Sequence, residues 1–176
     1  DLALIAGAGP IGLLTAAVLK AEGITVVISE MSELRRQQAL ESGVADHAFD
    51  PTQVDVAAKV RKLSANGDGA DVAFECTSVQ LAMDTLVDAL RPTGVLVVVS
   101  IWGQRASFDM QQIVLKELDV RGTIAYVNSH PDTIKLVESG RIDPAPFITG
   151  RIGLDGLLDE GFDTLIHRNE TAVKIL

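Results

Sequence analysis

The sequence holds few of the residues that most often do chemistry. Its 176 residues include one cysteine, one tryptophan, one tyrosine and three histidines. The single cysteine, Cys76, excludes an internal disulfide, so nothing points to an oxidising compartment and a cytoplasmic location is expected. Basic charge is also scarce. Fifteen Lys and Arg face 24 Asp and Glu, a net charge of -9, which argues against a nucleic-acid or anionic-membrane surface. Long apolar runs are missing as well: Gly94 to Trp102 falls far short of a membrane span. With 47% hydrophobic residues, the composition is that of a folded chain, not a disordered, collagen-like or disulfide-rich one. The length suits one domain with room for a fragment of a second.

Short apolar runs alternate with helical patterns. Leu2 to Ala6 is too short for a helix and reads as a buried strand. Leu14, Ala17, Val18 and Ala21 then recur at helical spacing, up to Gly23. Ile24 to Ile28 reads as a second strand, and Ser32 as the N-cap of a helix that stops at Gly43. Ala48-Phe49 is a third strand, and Val56, Val60 and Leu63 mark the next helix. Val72 to Phe74 is a fourth strand, followed by a helix with Ala82, Leu86 and Ala89 on one face. Arg91-Pro92-Thr93-Gly94 breaks that helix before a fifth strand, Val95 to Val99, and Val120 to Ile124 is a sixth. The rhythm predicts an α/β fold: a doubly wound, parallel, six-stranded Rossmann sheet with helices on both faces.

After Gly140 the rhythm stops. Arg141 to Pro146 reads as a connection, with short extended pieces at Phe147-Ile148 and Arg151-Ile152. Asp155 is expected to cap a helix carrying Leu158, Phe162, Leu165 and Ile166, and Thr171 to Leu176 to form one more strand. The abrupt opening on a strand at Asp1 suggests a chain cut from something larger.

The main signal is Gly7-Ala8-Gly9-Pro10-Ile11-Gly12, between the first strand and the first helix. Gly7 permits a tight turn, Gly9 lets backbone approach a pyrophosphate, and Gly12 lets helix and strand pack closely. Free N–H groups at the helix start favour an anion, and Pro10 is tolerated there. The second strand leads to Glu30, near the spacing of about 20 residues expected for an acid on the adenosine ribose. That carboxylate would repel a 2′-phosphate: like charges about 4 Å apart cost roughly 4 kcal/mol at an effective dielectric near 20. It therefore favours NAD over NADP, although Arg35 and Arg36 stand close enough to hold a phosphate.

Other motifs fail. Leu13 and Leu14 occupy the Lys and Ser/Thr positions of a Walker A loop, and His130 stands where a Tyr-x-x-x-Lys pair would need lysine after Tyr126. A methyltransferase stays open, although Ile11 replaces the third glycine of its usual run. His47, His130 and His167 show no metal-ligand spacing and read as surface or loop residues. Cys76 reads first as a small buried apolar residue, with lining of a nicotinamide pocket as the alternative; Trp102 reads first as packing or interface, with a ligand contact as the alternative; and Asp71 and Glu75 read as structural or solvated rather than a catalytic pair. Fold geometry alone places Thr77, Ser100, Ile101 and Thr123 to Ala125 at strand ends that would meet a nicotinamide. No acid–base or nucleophile set emerges, so no residue of this chain is assigned a catalytic or metal-binding role.

With these motifs in order, the whole chain resembles the coenzyme-binding half of the medium-chain, zinc-type alcohol dehydrogenases, and most of all their butanediol, polyol and threonine dehydrogenase branch. The carriers are the glycine run, Ser29-Glu30 followed by Arg35, Phe74-Glu75-Cys76-Thr77, Arg91-Pro92-Thr93-Gly94, Lys116-Glu117-Leu118, Gly122-Thr123-Ile124 and Glu160-Gly161-Phe162-Asp163. The resemblance implies hydride transfer between a secondary alcohol or its ketone and NAD. It implies pyrophosphate contacts at Gly7, Gly9, Pro10, Ile11 and Gly12, and ribose contact at Glu30. Arg35 would lie beside the adenine and Thr77 at the nicotinamide ribose. Ser100, Ile101 and the backbone of Thr123 and Ala125 would meet the carboxamide, with Ser100 replacing a frequent glycine.

The resemblance further implies that residues 1–140 form the NAD-binding domain. Residues 141–176 would return to a GroES-like catalytic domain that precedes this segment and holds the zinc. A homodimer or homotetramer would form through the strand at Val120 to Ile124. Alternative readings are a non-catalytic module sensing NAD/NADH, or a zinc-free quinone or enone reductase of the same superfamily.

Overall fold

A computed structural model of the chain describes residues 1–169 and 172–176. Strand β1 (Leu2–Ala6) is buried along its whole length, so it must be covered on both faces. It pairs in parallel with β2 (Thr25–Ser29) on one side and with β4 (Ala70–Glu75) on the other. Adding β3 (His47–Phe49), β5 (Leu90–Val98) and β6 (Asp119–Gly122) gives a six-stranded parallel sheet of order β3-β2-β1-β4-β5-β6. This is the expected Rossmann topology, with strand order reversing between β1 and β4.

Alternation along the strands separates two cores. Leu4 and Val27 face α3 (Val56–Leu63) and α4 (Gln80–Ala89), packing with Val56, Val60 and Leu86. Ile5, Val26 and Ile28 face the opposite way, toward α1 (Pro10–Ala21) and α2 (Glu33–Glu41), packing with Leu13, Ala16 and Ala39. Ser32 caps α2 as expected, accepting the Arg35 amide at 3.4 Å.

The buried face of α1 differs from the expected one. Gly12, Leu13, Ala16 and Ala17 are buried, whereas Leu14 and Val18 are exposed. The glycine turn sets this register. A Cβ on residue 12 would run into the Gly7 carbonyl oxygen, so the helix must present Gly12 to the strand, and Leu13 and Ala16 follow it inward.

The fifth strand also starts earlier. Leu90 already pairs with Ala70, and the register then shifts so that Val95 pairs with Val72, leaving 91–94 as an irregularity inside the strand. Gly69 and Gly94 let the β4 and β5 segments approach: a Cβ on either would meet backbone of the 89–91 segment. Asp71 holds this corner by accepting from the Leu2 amide and Arg91 Nε, both at 2.7 Å. The sixth strand runs 119–122 rather than 120–124, and its four residues are exposed at the sheet edge.

Helices α5 (Met110–Leu115) and α6 (His130–Glu138) complete the βα series. Beyond Gly140, Ile142, Phe147 and Val173 bury themselves among Ile5, Leu13 and Ala39. The short extended piece lies at β7 (Ile148–Gly150), not at Arg151-Ile152, and β8 (Lys174–Ile175) pairs with it in parallel. Of the strand expected from Thr171 onward, Lys174 and Ile175 form β8, Ala172 and Val173 lie before it, and Thr171 itself lies outside the described residues. Asp155 does not cap the last helix. It sits inside a 3₁₀ turn (Leu154–Gly156), after which a π-helical stretch (Leu157–Phe162) runs into α7 (Asp163–His167). Gly161 is the buried residue of that stretch, and a Cβ there would come within 3.0 Å of Ile152 Cδ1.

Candidate functional site at the strand carboxyl ends

The glycine run opens the site. Gly7 takes a left-handed φ of +96° and donates its N–H to the Ser29 carbonyl at 2.8 Å, tying the end of β1 to the end of β2. Gly9 is the N-cap of α1, and a Cβ placed on it would meet nothing within 4 Å among the described residues, so its Cα faces open space. Pro10 starts the helix, and Ile11 is exposed beside it. First-turn amides of an α-helix have no partner inside the helix, which makes this turn a cradle for an anion.

Glu30 follows β2 and reaches back to the turn. One carboxylate oxygen accepts from the Ala8 amide at 2.8 Å and the other from Ser32 at 2.9 Å. Gly7, Glu30 and Thr77 line one cleft of about 300 Å³ between α3 and α4, at the carboxyl ends of β1, β2 and β4. That volume is at the lower bound for a small-molecule site. Met31, Pro51, Val54 and Val79 supply apolar walls. Spacing in the sequence does not mark these four as site residues. Their only signal is their place just after β2, β3 and β4, with Met31 and Val79 apolar yet exposed.

The other predicted residues lie around this cleft. Arg35 points toward the chain's end and donates to the Asn169 carbonyl at 2.5 Å, while its Nε is buried with no partner among the described residues. Arg36 donates to the carbonyls of Glu30 and Met31 and faces Asp50 at 3.5 Å. Ser100 gives its hydroxyl to Glu75. Ile101 is 79% exposed, and its carbonyl accepts from the Ser78 hydroxyl at 3.0 Å. Thr123 is exposed and donates its amide to Val98, and Ala125 is exposed in the left-handed region with φ +53°.

Glu75, read from sequence as structural or solvated, is fully buried at the end of β4. Burial alone would push its carboxyl up. Hydrogen bonds from the Ser100 and Thr77 hydroxyls and the Thr77 and Ser78 amides outweigh that and hold it below the ordinary carboxylate value. Trp102 also donates its indole N–H to it, at 3.1 Å, and packs on the core. The Cys76 thiol is pushed up to about 12 by burial, with the Glu75 charge adding, so it is a neutral packing group at physiological pH. The histidines remain apart: His47 stacks on Phe49, His130 meets Tyr126 edge-on, and His167 ends α7. Among the described residues, no three His, Cys, Asp or Glu side chains gather into a group that could hold a metal ion.

Comparison with known proteins agrees with this geometry. Residues 10–139 match the family model described as zinc-binding dehydrogenase. The chain is 61% identical over its full length to an (R,R)-butanediol dehydrogenase of Neisseria gonorrhoeae, covering 49% of that protein. The crystal structure of 2R,3R-butanediol dehydrogenase from Bacillus subtilis superposes with a TM-score of 0.91 and 37% identity, over 99% of this chain and 50% of its own. A structure from Sinorhizobium meliloti bound to NADP superposes with a TM-score of 0.80 and 29% identity, over 90% of this chain and 47% of its own. This chain therefore spans about half the length of the relatives it matches. The glycine turn, the β2 acid and the 3-2-1-4-5-6 sheet, together with the family match, place this chain in the zinc-binding dehydrogenase family.

Proposed function

We propose that this chain is the coenzyme-binding part of an oxidoreductase that moves a hydride between NAD and a secondary alcohol or its ketone, of the butanediol or polyol type. The observation that carries the reading is the cleft in which Gly7, Glu30 and Thr77 come together. The residues fit a dinucleotide. The open Cα of Gly9 and the first turn of α1 suit a pyrophosphate, and Glu30 suits a ribose diol. When bound, the nicotinamide supplies the hydride chemistry, and this chain's own residues hold and orient it. Family membership sets aside the methyltransferase reading.

NAD rather than NADP is the proposed coenzyme. A relative bound to NADP exists, so the choice rests on local residues. Glu30 presents negative charge where a 2′-phosphate would sit, while Arg35 and Arg36 are both turned onto backbone carbonyls. The alcohol pocket and the zinc belong to residues outside this chain, where a Lewis acid would polarise the alcohol oxygen. The segment after Gly140 is proposed to complete that same catalytic domain, and the exposed β6 edge to pair across a homodimer or homotetramer. A cytoplasmic location goes with this reading. The chain alone is expected to bind coenzyme without oxidising alcohols.

Titration with NADH, followed by energy transfer from Trp102, tests the reading. Saturable transfer is expected, and a folded chain that gives none would contradict it.

A further inference from the structure

Two strand ends, those of β4 and β5, meet at the Glu75 carboxylate. Its Oε1 accepts from the Thr77 amide and hydroxyl, both at 2.6 Å, and from the Ser78 amide at 2.8 Å. Its Oε2 accepts from the Ser100 hydroxyl and from Trp102 Nε1. A carboxylate offers about four lone-pair sites, and these donors saturate them. Glu75 thus has no capacity left to take a proton from a substrate, and the same bonds offset the cost of burying its charge.

The groups it holds belong to two loops. Thr77 and Ser78 form the turn after β4, and Ser100 and Trp102 follow β5. A second link runs beside the first: Ser78, in the left-handed region at φ +60°, donates its hydroxyl to the Ile101 carbonyl at 3.0 Å. A third link reaches β1, because the Thr77 methyl lies where a Cβ on Gly7 would be only 2.9 Å away. In the sheet order, Glu30 ends β2 on one side of β1, whereas Glu75 and its partners lie on the other, at β4 and β5. A dinucleotide whose pyrophosphate crosses the β1 turn would have its adenosine on the Glu30 side and its nicotinamide on the Glu75 side.

We infer that Glu75 is a positioning residue for the nicotinamide end of the coenzyme, locking the turn after β4 and the loop after β5 into one surface. This rests on the dinucleotide reading above. Glu75 touches no coenzyme itself and acts through Thr77, Ser100 and Ile101.

The test compares the full chain with Glu75→Gln, using NADH and ADP-ribose as separate calorimetric probes. The amide keeps the size of the side chain, but its NH₂ must face one set of donors, and Trp102 Nε1–H cannot turn to accept. NADH affinity is expected to fall by roughly tenfold or more, as for other losses of positioning. ADP-ribose affinity should stay within about twofold, because it lacks the nicotinamide. Trp102 emission should shift as its N–H loses its acceptor. An equal fall for both probes would make Glu75 a general structural residue and overturn the inference, as would unchanged NADH binding. If the unsubstituted chain binds neither probe, the dinucleotide reading itself fails. Should Glu75→Gln not fold, Trp102→Phe removes a single donor. It should lower NADH affinity selectively by a smaller factor, and equal changes for the two probes would again overturn the inference.

Discussion

The Glu30 carboxylate and the Ala8 amide are joined by a 2.8 Å hydrogen bond, so the acid that ends β2 also braces the glycine turn that ends β1. Ala8 is fully buried, and its amide loses this acceptor if the side chain is removed. Glu30→Ala is therefore expected to cost about 1–3 kcal/mol of stability, measured by denaturant unfolding. It should also narrow the preference for NADH over NADPH, measured by calorimetry. An unchanged ratio of the two affinities would remove Glu30 from the account of selectivity.

The last two glycines of the run separate folding from binding. A Cβ on residue 12 would strike the Gly7 carbonyl, whereas one on residue 9 meets nothing within 4 Å among the described residues. Gly12→Ala should lower stability by about 1–3 kcal/mol or fail to fold, as overpacked positions do. Gly9→Ala should unfold at nearly the same temperature as the parent but bind NADH more weakly, because its methyl would stand where the pyrophosphate approaches. Equal melting temperatures for the two variants would contradict this division.

Acid stability should report the anion at the end of β4. In the fold the Glu75 carboxyl lies below its ordinary 4.5, with burial outweighed by its hydrogen bonds. A depressed folded value contributes stability above the unfolded value, and that contribution disappears as pH falls through the folded value. Asp71 acts in the same direction: burial opposes ionisation, but the bonds from Arg91 and the Leu2 amide prevail over an ordinary value of 3.8. Stability should fall steadily below about pH 4.5, and Glu75→Gln should make that slope shallower. An identical slope in the variant would mean that Glu75 is not ionised in the fold.

Cys76 should be inert. Its thiol is raised from 9.0 to about 12, chiefly by burial. Alkylation at pH 8 should be slow in the native chain and fast in denaturant, since the thiolate is the reactive form. For this group the protonated form is the one the fold favours, so its contribution fades only as pH rises from about 9 toward 12. Equal native and denatured rates would contradict the burial of the sulfur.

Continuous apolar runs such as Leu2 to Ala6, bounded by glycine, made the sheet readable from sequence, because strands buried on both faces leave no other composition. The glycine turn and Glu30 were readable for the same reason: backbone geometry demands those residue types at that spacing. What spacing could not show were contacts made by folding alone. The helix-period pattern of α1 fitted Leu14 and Val18 as well as Leu13 and Ala16, and only the collision at Gly12 selects between them. Spacing gave Glu75 only a structural or solvated reading, because its partners Ser100 and Trp102 lie 25 and 27 residues away and meet it only where the loop after β5 folds back. The tail pattern suggested a single capped helix, yet 157–162 winds as a π-helix around the buried Gly161.

Binding of a nicotinamide dinucleotide across the β1 turn, between Glu30 and Thr77, can be followed in the amide chemical shifts of the labelled chain through an NADH titration. Saturable shifts are expected to concentrate at the turn of residues 7–12, at Glu30 to Ser32 and at Thr77 and Ser78. A well-dispersed spectrum in which those amides stay still, or in which the shifts gather elsewhere, would contradict it.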